Sequence, residues 1–505
     1  MHYKGIHISS DNIAVAYLLW SLICLIPSTG MHVGIMTGLK TAFLVCAFLI
    51  ARSIPNKARV LRFLAAFGTL QAILAILQQC GLTESNHQMF KITGFMGNPG
   101  QLGGAQAVSL ISNMSLYRRH GSRIEKLFIV LSSAIILYSL VLSDSRAGGL
   151  AAIGGIITIT HRLWRGLMKR HKWLCVATPC LLCIFILPTY LYRPDSVNAR
   201  LLIWRVCADM FVDKPLFGFG AYGFNHNYML YQEEYLSSHP DSIFTSMASD
   251  VSYPYNEFIH ILIEQGIVGF ALFIFMIFRA LKECHNRELC APLVTLLIFA
   301  MFSYPSYKLA LCMMLPLLLG ILPQKPLFYT PSANIATTVL SATTAISCVF
   351  GISCFENKLQ KRISDIYNND YEAISDINSS FKQNHNDLKL NAQYATLAQY
   401  FPETLSPITI PLIFPSCDNW CTIGTHFFRI KDYANAEKYF TQAAGMVPSL
   451  IRPKYHLWKV YLEQGKEDDA SGIADEILHM QVKVENTYTL RVRNEILNHK
   501  QNKVE

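Results

Sequence analysis

Glu257, His260 and Glu264 stand at offsets of three and four residues in the stretch Tyr253–Gly269, YPYNEFIHILIEQGIVG. On a helix those offsets put all three on one face, with Asn256 beside it. An imidazole between two carboxylates can exchange protons or hold a polar ligand. The bland alternative is a helix end held by interfacial hydrogen bonds. Glu264 weighs against that alternative. It lies roughly 13 Å along the helix from Tyr255 at 1.5 Å per residue, and an apolar run follows it through Ile277. A charge at mid-bilayer costs about 2.5–3.5 kcal/mol on insertion scales, so a carboxylate at that depth needs a partner or a wet cavity.

Three further polar clusters could share that cavity. TGFMGNPGQLGG (93–104) supplies Asn98, and SDSRAGG (143–149) supplies Arg146. The planar guanidinium fork suits phosphate. Its alternative here is a snorkelling interfacial arginine paired with Asp144. The stretch 195–235 supplies Arg200, Arg205 and His226. Arg200, Trp204 and Asp209 fall on a helical pattern in which Leu201, Leu202 and Val206 are apolar. His226, among Asn225, Asn227 and Tyr228, reads either as a hydrogen-bonding surface residue or as a catalyst. Gly218, Gly220 and Gly223 form a lone G-x-G-x-x-G. No strand precedes it and no βαβ unit surrounds it, so it is no dinucleotide site. These glycines are expected to let the chain turn back over the membrane surface.

The elements that must position these groups are membrane helices. The chain has 505 residues, 52% hydrophobic and only 15% charged, and the apolar residues come in blocks. A span needs roughly 20 apolar residues, and about eleven blocks are candidates. They fall near 13–27, 33–51, 60–80, 101–117, 126–143, 147–161, 173–190, 255–278, 290–304, 307–322 and 335–353. The block 101–117 is the weakest, being short and rich in Gly, Ser and Gln. The first block lacks a small-residue cleavage site and reads as a retained helix, not a signal peptide. Basic residues cluster in the links 52–62, 118–126, 162–172 and 279–289. Alternating spans put all four on one side, which the positive-inside rule makes cytoplasmic. The N-terminus is then cytoplasmic. The loop 191–254 and everything after about residue 354 then lie outside, and the four polar clusters face that same outer side. The net charge of +9 reflects this topology, not a nucleic-acid surface.

The expected fold is therefore all-α: a polytopic membrane domain over 1–354, interrupted by a helical outer loop at 191–254. A helical linker or partial repeat follows over 355–417, then tetratricopeptide-like repeats over 418–480 and a polar helix or tail over 481–505. Trp420, Ile423, Gly424, Phe427, Ala436, Phe440, Ala443 and Pro448 carry the repeat spacing. A second, degenerate unit is carried by Leu457, Tyr461, Ala470, Ala474 and Ile477, with Trp458 where Gly is usual. Such helices either pack only on each other or form a groove for a protein partner, and both readings stay open. Most of the fourteen cysteines sit in or beside apolar blocks, where Cys behaves as a small hydrophobe. Cys417 and Cys421 are on the oxidising side, but a four-residue helical spacing suits a disulfide poorly. No Cys/His spacing resembles a zinc site.

Taken together, these phrases resemble the O-antigen ligase and polymerase superfamily, which includes protein O-oligosaccharyltransferases. NARLLIWRVCADMFVDKPLFGFGAYGF is similar to that family's loop motif, with its R-x3-W and P-L-x-G-x-G phrases. YNEFIHILIEQGIVG resembles its H-N-x-[YF]-L-x-x-[LV]-x-E-x-G-[IL]-x-G phrase. GFMGNPGQLGG resembles its N-P-N segment, and SDSRAG its S-R-[AG] turn. The resemblance covers about residues 90–280, in the family's order. The tail is similar to one appended to some members.

The resemblance implies an inverting glycosyl transfer without metal or other cofactor, at the inner membrane of a bacterium. The donor is a glycan on undecaprenyl pyrophosphate. The acceptor is a lipid A core sugar, a protein Ser or Thr, or a growing glycan. Arg146 and Arg200 are implied to hold the pyrophosphate, with Arg205 and His226 as further candidates from the same loop. Asn98, His226, Asn256 and Glu264 are implied to line the glycan or acceptor. One departure matters. Tyr255 stands where the family has the histidine favoured as activator of the acceptor. Tyrosine, with an unperturbed pKa near 10, is a poor base. Either His260 or Glu257 takes that role, or departure of pyrophosphate dominates and Tyr255 orients a sugar. A repeat-unit polymerase differs only in acceptor. A non-enzymatic lipid transporter should show symmetric broken helices, and the spans show no clear internal symmetry. An envelope scaffold would not need Glu264 and Arg146 at the membrane mouth.

Overall fold

The apolar blocks fold as helices that pack around the least apolar of them. A computed structural model describes residues 10–24, 31–87, 89–119, 121–170, 194–322, 378–379, 381–382, 388–401, 403, 405, 407–480, 482 and 485–504. Among these residues all regular structure is helical. The apolar part runs α1 (Ser10–Ile23), α2 (Met31–Ser53), α3 (Ala58–Gln79), α4 (Pro99–Tyr117), α5 (Arg123–Leu142), α6 (Arg146–Ile159) and α7 (His161–Arg170). After the outer loop it resumes with α10 (Glu257–Glu283), α11 (Arg287–Ala300), α12 (Leu309–Cys312) and α13 (Met314–Ile321). Every expected block within the described residues falls on a helix. The blocks 173–190 and 335–353 lie outside the described residues. Helices α3, α5 and α10 are long and apolar enough to cross a membrane, by length and composition.

The weak block became the hub. Helix α4 is buried along nearly its whole length and packs on α3, α5, α6 and α11. Its low hydropathy has a physical cause: it faces helices, and small residues let backbones approach. A Cβ on Gly103 would sit 2.1 Å from the Ser145 Cβ, and one on Gly148 would sit 2.7 Å from the Gly103 carbonyl. The starts of α4 and α6 are thus pressed together, and neither position has room for a side chain.

The basic links gather at one end of the bundle. Arg62 pairs with Glu125 at 2.8 Å, and Arg118 with Glu288 at 3.5 Å. Exposed pairs of this kind contribute little stability. Their value here is topological, since they bring the links 52–62, 118–126 and 279–289 together.

The loop and the tail form one outer body. Helices α8 (Pro194–Asp213) and α9 (Gly223–Ser238) come from the loop. Helices α14 (Leu388–Tyr400), α15 (Cys417–Arg429), α16 (Tyr433–Met446), α17 (Ile451–Glu463), α18 (Glu467–His479) and α19 (Thr487–Val504) come from the tail. A single apolar cluster joins Leu202, Val206, Phe224 and Tyr228 to Tyr394, Ile423 and Phe440. Buried Gln232 fixes the join: its Nε2 donates to the Met446 carbonyl at 2.7 Å, and its Oε1 accepts from the Tyr228 hydroxyl at 2.8 Å. The Asp250 carboxylate accepts from the backbone N–H groups of Cys417 and Asp418, at 2.7 and 2.8 Å, at the start of α15. A carboxylate there offsets the unpaired N–H groups of the helix end. Successive tail helices α15 to α18 pack on one another. Cys417 and Cys421 are both buried free thiols.

Candidate active site

The site is built around a break in α10. Gly266 has a φ of +65°, a left-handed conformation inside an otherwise helical run. The break frees backbone groups that a membrane helix must satisfy internally, and the Pro215–Ala221 segment satisfies them. Phe219 and Gly220 donate N–H to the carbonyls of Ile263 and Glu264, at 2.9 and 3.0 Å, and Ile267 N–H donates to the Pro215 carbonyl at 2.8 Å. The Trp20 indole N–H of α1 donates to the Gln265 carbonyl at 3.2 Å. A Cβ on Gly218 would lie 2.5 Å from the Ile263 carbonyl oxygen, so this close approach requires glycine. The glycines of the G-x-G-x-x-G phrase therefore do more than turn the chain over a surface. They let loop backbone complete a broken helix.

The R-x3-W phrase grips the turn that enters α10. Arg200 and Trp204 lie one turn apart on α8. The Trp204 indole N–H donates to the Pro254 carbonyl at 2.9 Å. The Arg200 guanidinium lies 5.4 Å from the centroid of the Tyr255 ring. Tyr255 itself has a φ of +52°. Such a conformation in a non-glycine residue costs about 1–3 kcal/mol and persists only where surroundings impose it. Asn256 follows as the N-cap of α10, its Oδ1 accepting from the N–H groups of Phe258 and Ile259 at 2.9 and 3.2 Å.

Arg146, from the start of α6, comes to the same place. Burial pushes the Arg200 guanidinium below its usual range, and the positive charge of Arg146 pushes it further. Burial raises the Tyr255 phenol, and Arg200 partly offsets the rise. Among the described residues Arg200 has no carboxylate partner. Asn98 caps α4 close by, its Oδ1 accepting from Gly100 N–H at 2.8 Å. Ser145, the N-cap of α6, donates its hydroxyl to the Gly100 carbonyl at 3.1 Å. Two helix N-termini, each with partial positive charge, thus flank the arginines.

The triad on α10 is closed on itself. His260 Nδ1 lies 3.5 Å from Glu257 and its Nε2 lies 3.3 Å from Glu264. Both ring nitrogens thus face carboxylates of the same helix, and neither is turned toward an acceptor hydroxyl. Glu257 also accepts from the Ser306 hydroxyl at 2.9 Å and its N–H at 3.3 Å. The face predicted from spacing exists, and its groups satisfy one another.

The link between α11 and α12 also lines the site, and nothing in the sequence pattern singled it out. Tyr304 stacks on Tyr253 with centroids 4.2 Å apart and meets Tyr255 edge-on at 5.2 Å. Tyr307 lies 4.6 Å from Tyr253. Lys308 Nζ lies 5.4 Å from the Tyr307 centroid and 3.7 Å from where a Cβ on Gly97 would sit. The phrase SYPSYK has no periodicity and one charge. Its only signal was two tyrosines and a lysine at the end of an apolar block.

Two expected residues lie elsewhere. Arg205 pairs with Asp209 along α8 at 3.4 Å, both well exposed. The His226 ring packs on Phe414 of the tail, centroids 4.1 Å apart. The structure brings together Arg146, Arg200, Tyr255, Asn256 and Asn98, with the Glu257–His260–Glu264 face beneath them.

Residues 131–274 match the family model described as O-Antigen ligase. That segment contains Arg146, Arg200, Tyr255 and the α10 face. This part of the chain is similar to the O-antigen ligase superfamily. Over 171 residues the chain is 31% identical to a candidate polysaccharide ligase of Rickettsia typhi, covering 31% of this chain and 40% of that protein. A counterpart in Rickettsia prowazekii is 31% identical over 168 residues, 30% of this chain and 39% of its own length. One in Rickettsia conorii is 27% identical over 168 residues, again 30% and 39%. The chain thus matches about two fifths of the length of these relatives. The O-antigen ligase match ends before the Tyr304–Lys308 link and the tail.

Proposed function

We propose that this protein is a membrane glycosyltransferase that moves a glycan from undecaprenyl pyrophosphate to an acceptor hydroxyl at the periplasmic face of a bacterial inner membrane. The observation that carries the reading is the meeting of Arg146 and Arg200 beside Tyr255, inside the O-antigen ligase segment. The acceptor oxygen attacks the anomeric carbon, the bond from that carbon to the diphosphate oxygen breaks with inversion, and the diphosphate leaves with the electron pair. Charge develops on the leaving group, and fixed cations placed there lower the barrier. With His260 and Glu257 occupied by each other and by Ser306, leaving-group departure does most of the work. The acceptor proton passes to water or to a diphosphate oxygen as the bond forms. Tyr255 orients a sugar, and the triad holds the α11–α12 link against α10.

The four basic links mark the cytoplasmic end, so the arginine cluster and the tail are periplasmic. The tail's helix pairs continue the core of α8 and α9. We read them as tetratricopeptide-like repeats that place a protein acceptor or partner over the mouth. A lipid A core acceptor, or a growing glycan in a polymerase, uses the same donor site. The test is transfer of a labelled glycan from undecaprenyl pyrophosphate by the purified full chain in lipid nanodiscs, with lipid A core and Ser/Thr-rich peptide offered in turn. Transfer to neither, with no joining of one donor glycan to another and the donor left intact, contradicts the proposal and favours a transporter or scaffold.

A further inference from the structure

Four tyrosine rings meet beside Arg200. Tyr253 stacks on Tyr304 with centroids 4.2 Å apart and planes 14° from parallel. Tyr307 leans on Tyr253 at 4.6 Å. Tyr255 meets Tyr304 edge-on at 5.2 Å and lies 5.4 Å from the Arg200 guanidinium. Tyr255 and Tyr304 both act on the charge of Arg200, so the cluster begins at that cation. It extends to Tyr307, which is 50% exposed.

The rings come from two segments some fifty residues apart, the turn before α10 and the α11–α12 link. Ser306 ties the link to α10 through the Glu257 carboxylate. Each ring is braced by its neighbours, and a tyrosine has only two side-chain torsions to fix. The surface is therefore formed before a ligand lands on it, which lowers the cost of binding.

The chemistry of the cluster selects its occupant. A pyranose carries C–H groups on its faces and hydroxyls around its rim. A phenol matches that pattern, with an apolar ring face and a polar handle at its edge. A prenyl chain matches it poorly, because it would leave phenol hydroxyls facing hydrocarbon. Among the described residues the exposed rings on α3, α5 and α10 are Phe63, Phe128, Phe275, Phe278 and Tyr138, and four of these five carry no hydroxyl. The cluster beside Arg200 is tyrosine throughout.

We propose that Tyr304 and Tyr307, backed by Tyr253, form a platform on which the sugars of the lipid-linked donor stack next to the diphosphate. The proposal rests on the glycosyl-transfer reading, and it adds Tyr304 and Tyr307 from beyond the segment that matches the family model. The platform positions the glycan, and no bond is made or broken at it.

The test uses the purified full chain in nanodiscs. It compares binding of farnesyl diphosphate with binding of farnesyl diphosphate bearing glucose, galactose or N-acetylglucosamine. At least one sugar-bearing lipid should bind the unsubstituted protein more tightly than the bare lipid. Y307A should remove most of that margin, a loss of about fivefold for one aromatic contact. Y307L, which keeps apolar bulk without a ring, should lose it in the same way. Y307F, which keeps the ring face, should hold the margin to within about twofold. An unchanged margin in Y307A or Y307L overturns the platform, as do equal losses of bare and sugar-bearing lipid. Equal binding of bare and sugar-bearing lipids by the unsubstituted protein, alongside weaker farnesyl diphosphate binding in R200A, overturns the platform and leaves the glycosyl-transfer reading standing. No diphosphate-lipid binding by the unsubstituted protein overturns both together.

Discussion

The guanidinium of Arg200 lies 5.4 Å from the ring centroid of Tyr255, and the turn carrying that ring is held by Trp204, one helical turn beyond the arginine. One helix face thus fixes both the cation and the strained residue that enters α10. The arrangement explains why Arg and Trp occur four apart in this loop.

Arg200→Ala should lower glycan transfer by on the order of 10²-fold or more, as loss of a preorganised charge does elsewhere. Arg200→Lys should recover only part of it, because an ammonium cannot reproduce the fork. Turnover by folded protein in nanodiscs measures both. Wild-type rates in Arg200→Ala would remove Arg200 from the chemistry.

Trp204→Phe keeps the ring but deletes the donor to the Pro254 carbonyl. The expected cost is about 1 kcal/mol of stability, with a several-fold fall in turnover as Tyr255 loses its support. A thermal melt read beside a rate assay separates the two effects. An unchanged rate would mean that the turn is held without this bond.

Gly266→Ala should be far more damaging than an average surface change. The residue is left-handed, and the new Cβ would lie 2.2 Å from the Leu216 carbonyl oxygen. A loss on the order of 2–4 kcal/mol is expected, read as a lowered melting temperature in detergent. A neutral result would show that α10 is continuous rather than broken.

His260→Ala should cost more activity than His226→Ala. Removing the imidazole leaves Glu257 and Glu264 without the donor they share, and breaking such a pair typically costs about 3–5 kcal/mol when buried. His226 packs on Phe414, away from the arginines. The reverse order of the two rates would move the site toward the tail.

Gln232→Leu should free the tail without unfolding the membrane helices. The substitution leaves the Met446 carbonyl and the Tyr228 hydroxyl unpaired in a buried join, at about 1–3 kcal/mol each. Limited proteolysis of folded protein should then cut within residues 388–480 faster than in the parent. Equal resistance would show that the loop and the tail do not share a core.

Much of this was legible in the sequence where chemistry is local. Hydropathy found the helices, and the offsets of Glu257, His260 and Glu264 found a real face. The polar phrases around Asn98, Arg146 and Arg200 do lie together. Sequence could not show that the triad is self-satisfied, since that depends on Ser306 arriving from another link. It undervalued α4, because hydropathy measures contact with lipid and this helix faces protein. It could not see the break at Gly266, whose cost is met by loop backbone some fifty residues away. The union of α9 with α16 was hidden for the same reason: Gln232 and Met446 are 214 residues apart.

The central claim is that Arg146 and Arg200 act together on one departing diphosphate. A double-mutant cycle on the rate of glycan transfer, using Arg146→Ala, Arg200→Ala and the pair, tests it most directly. Residues sharing one charged ligand should couple by roughly 0.5–3 kcal/mol, so the double variant should lose much less than the sum of the single losses. Strictly additive losses, or full transfer in either single variant, would contradict the account.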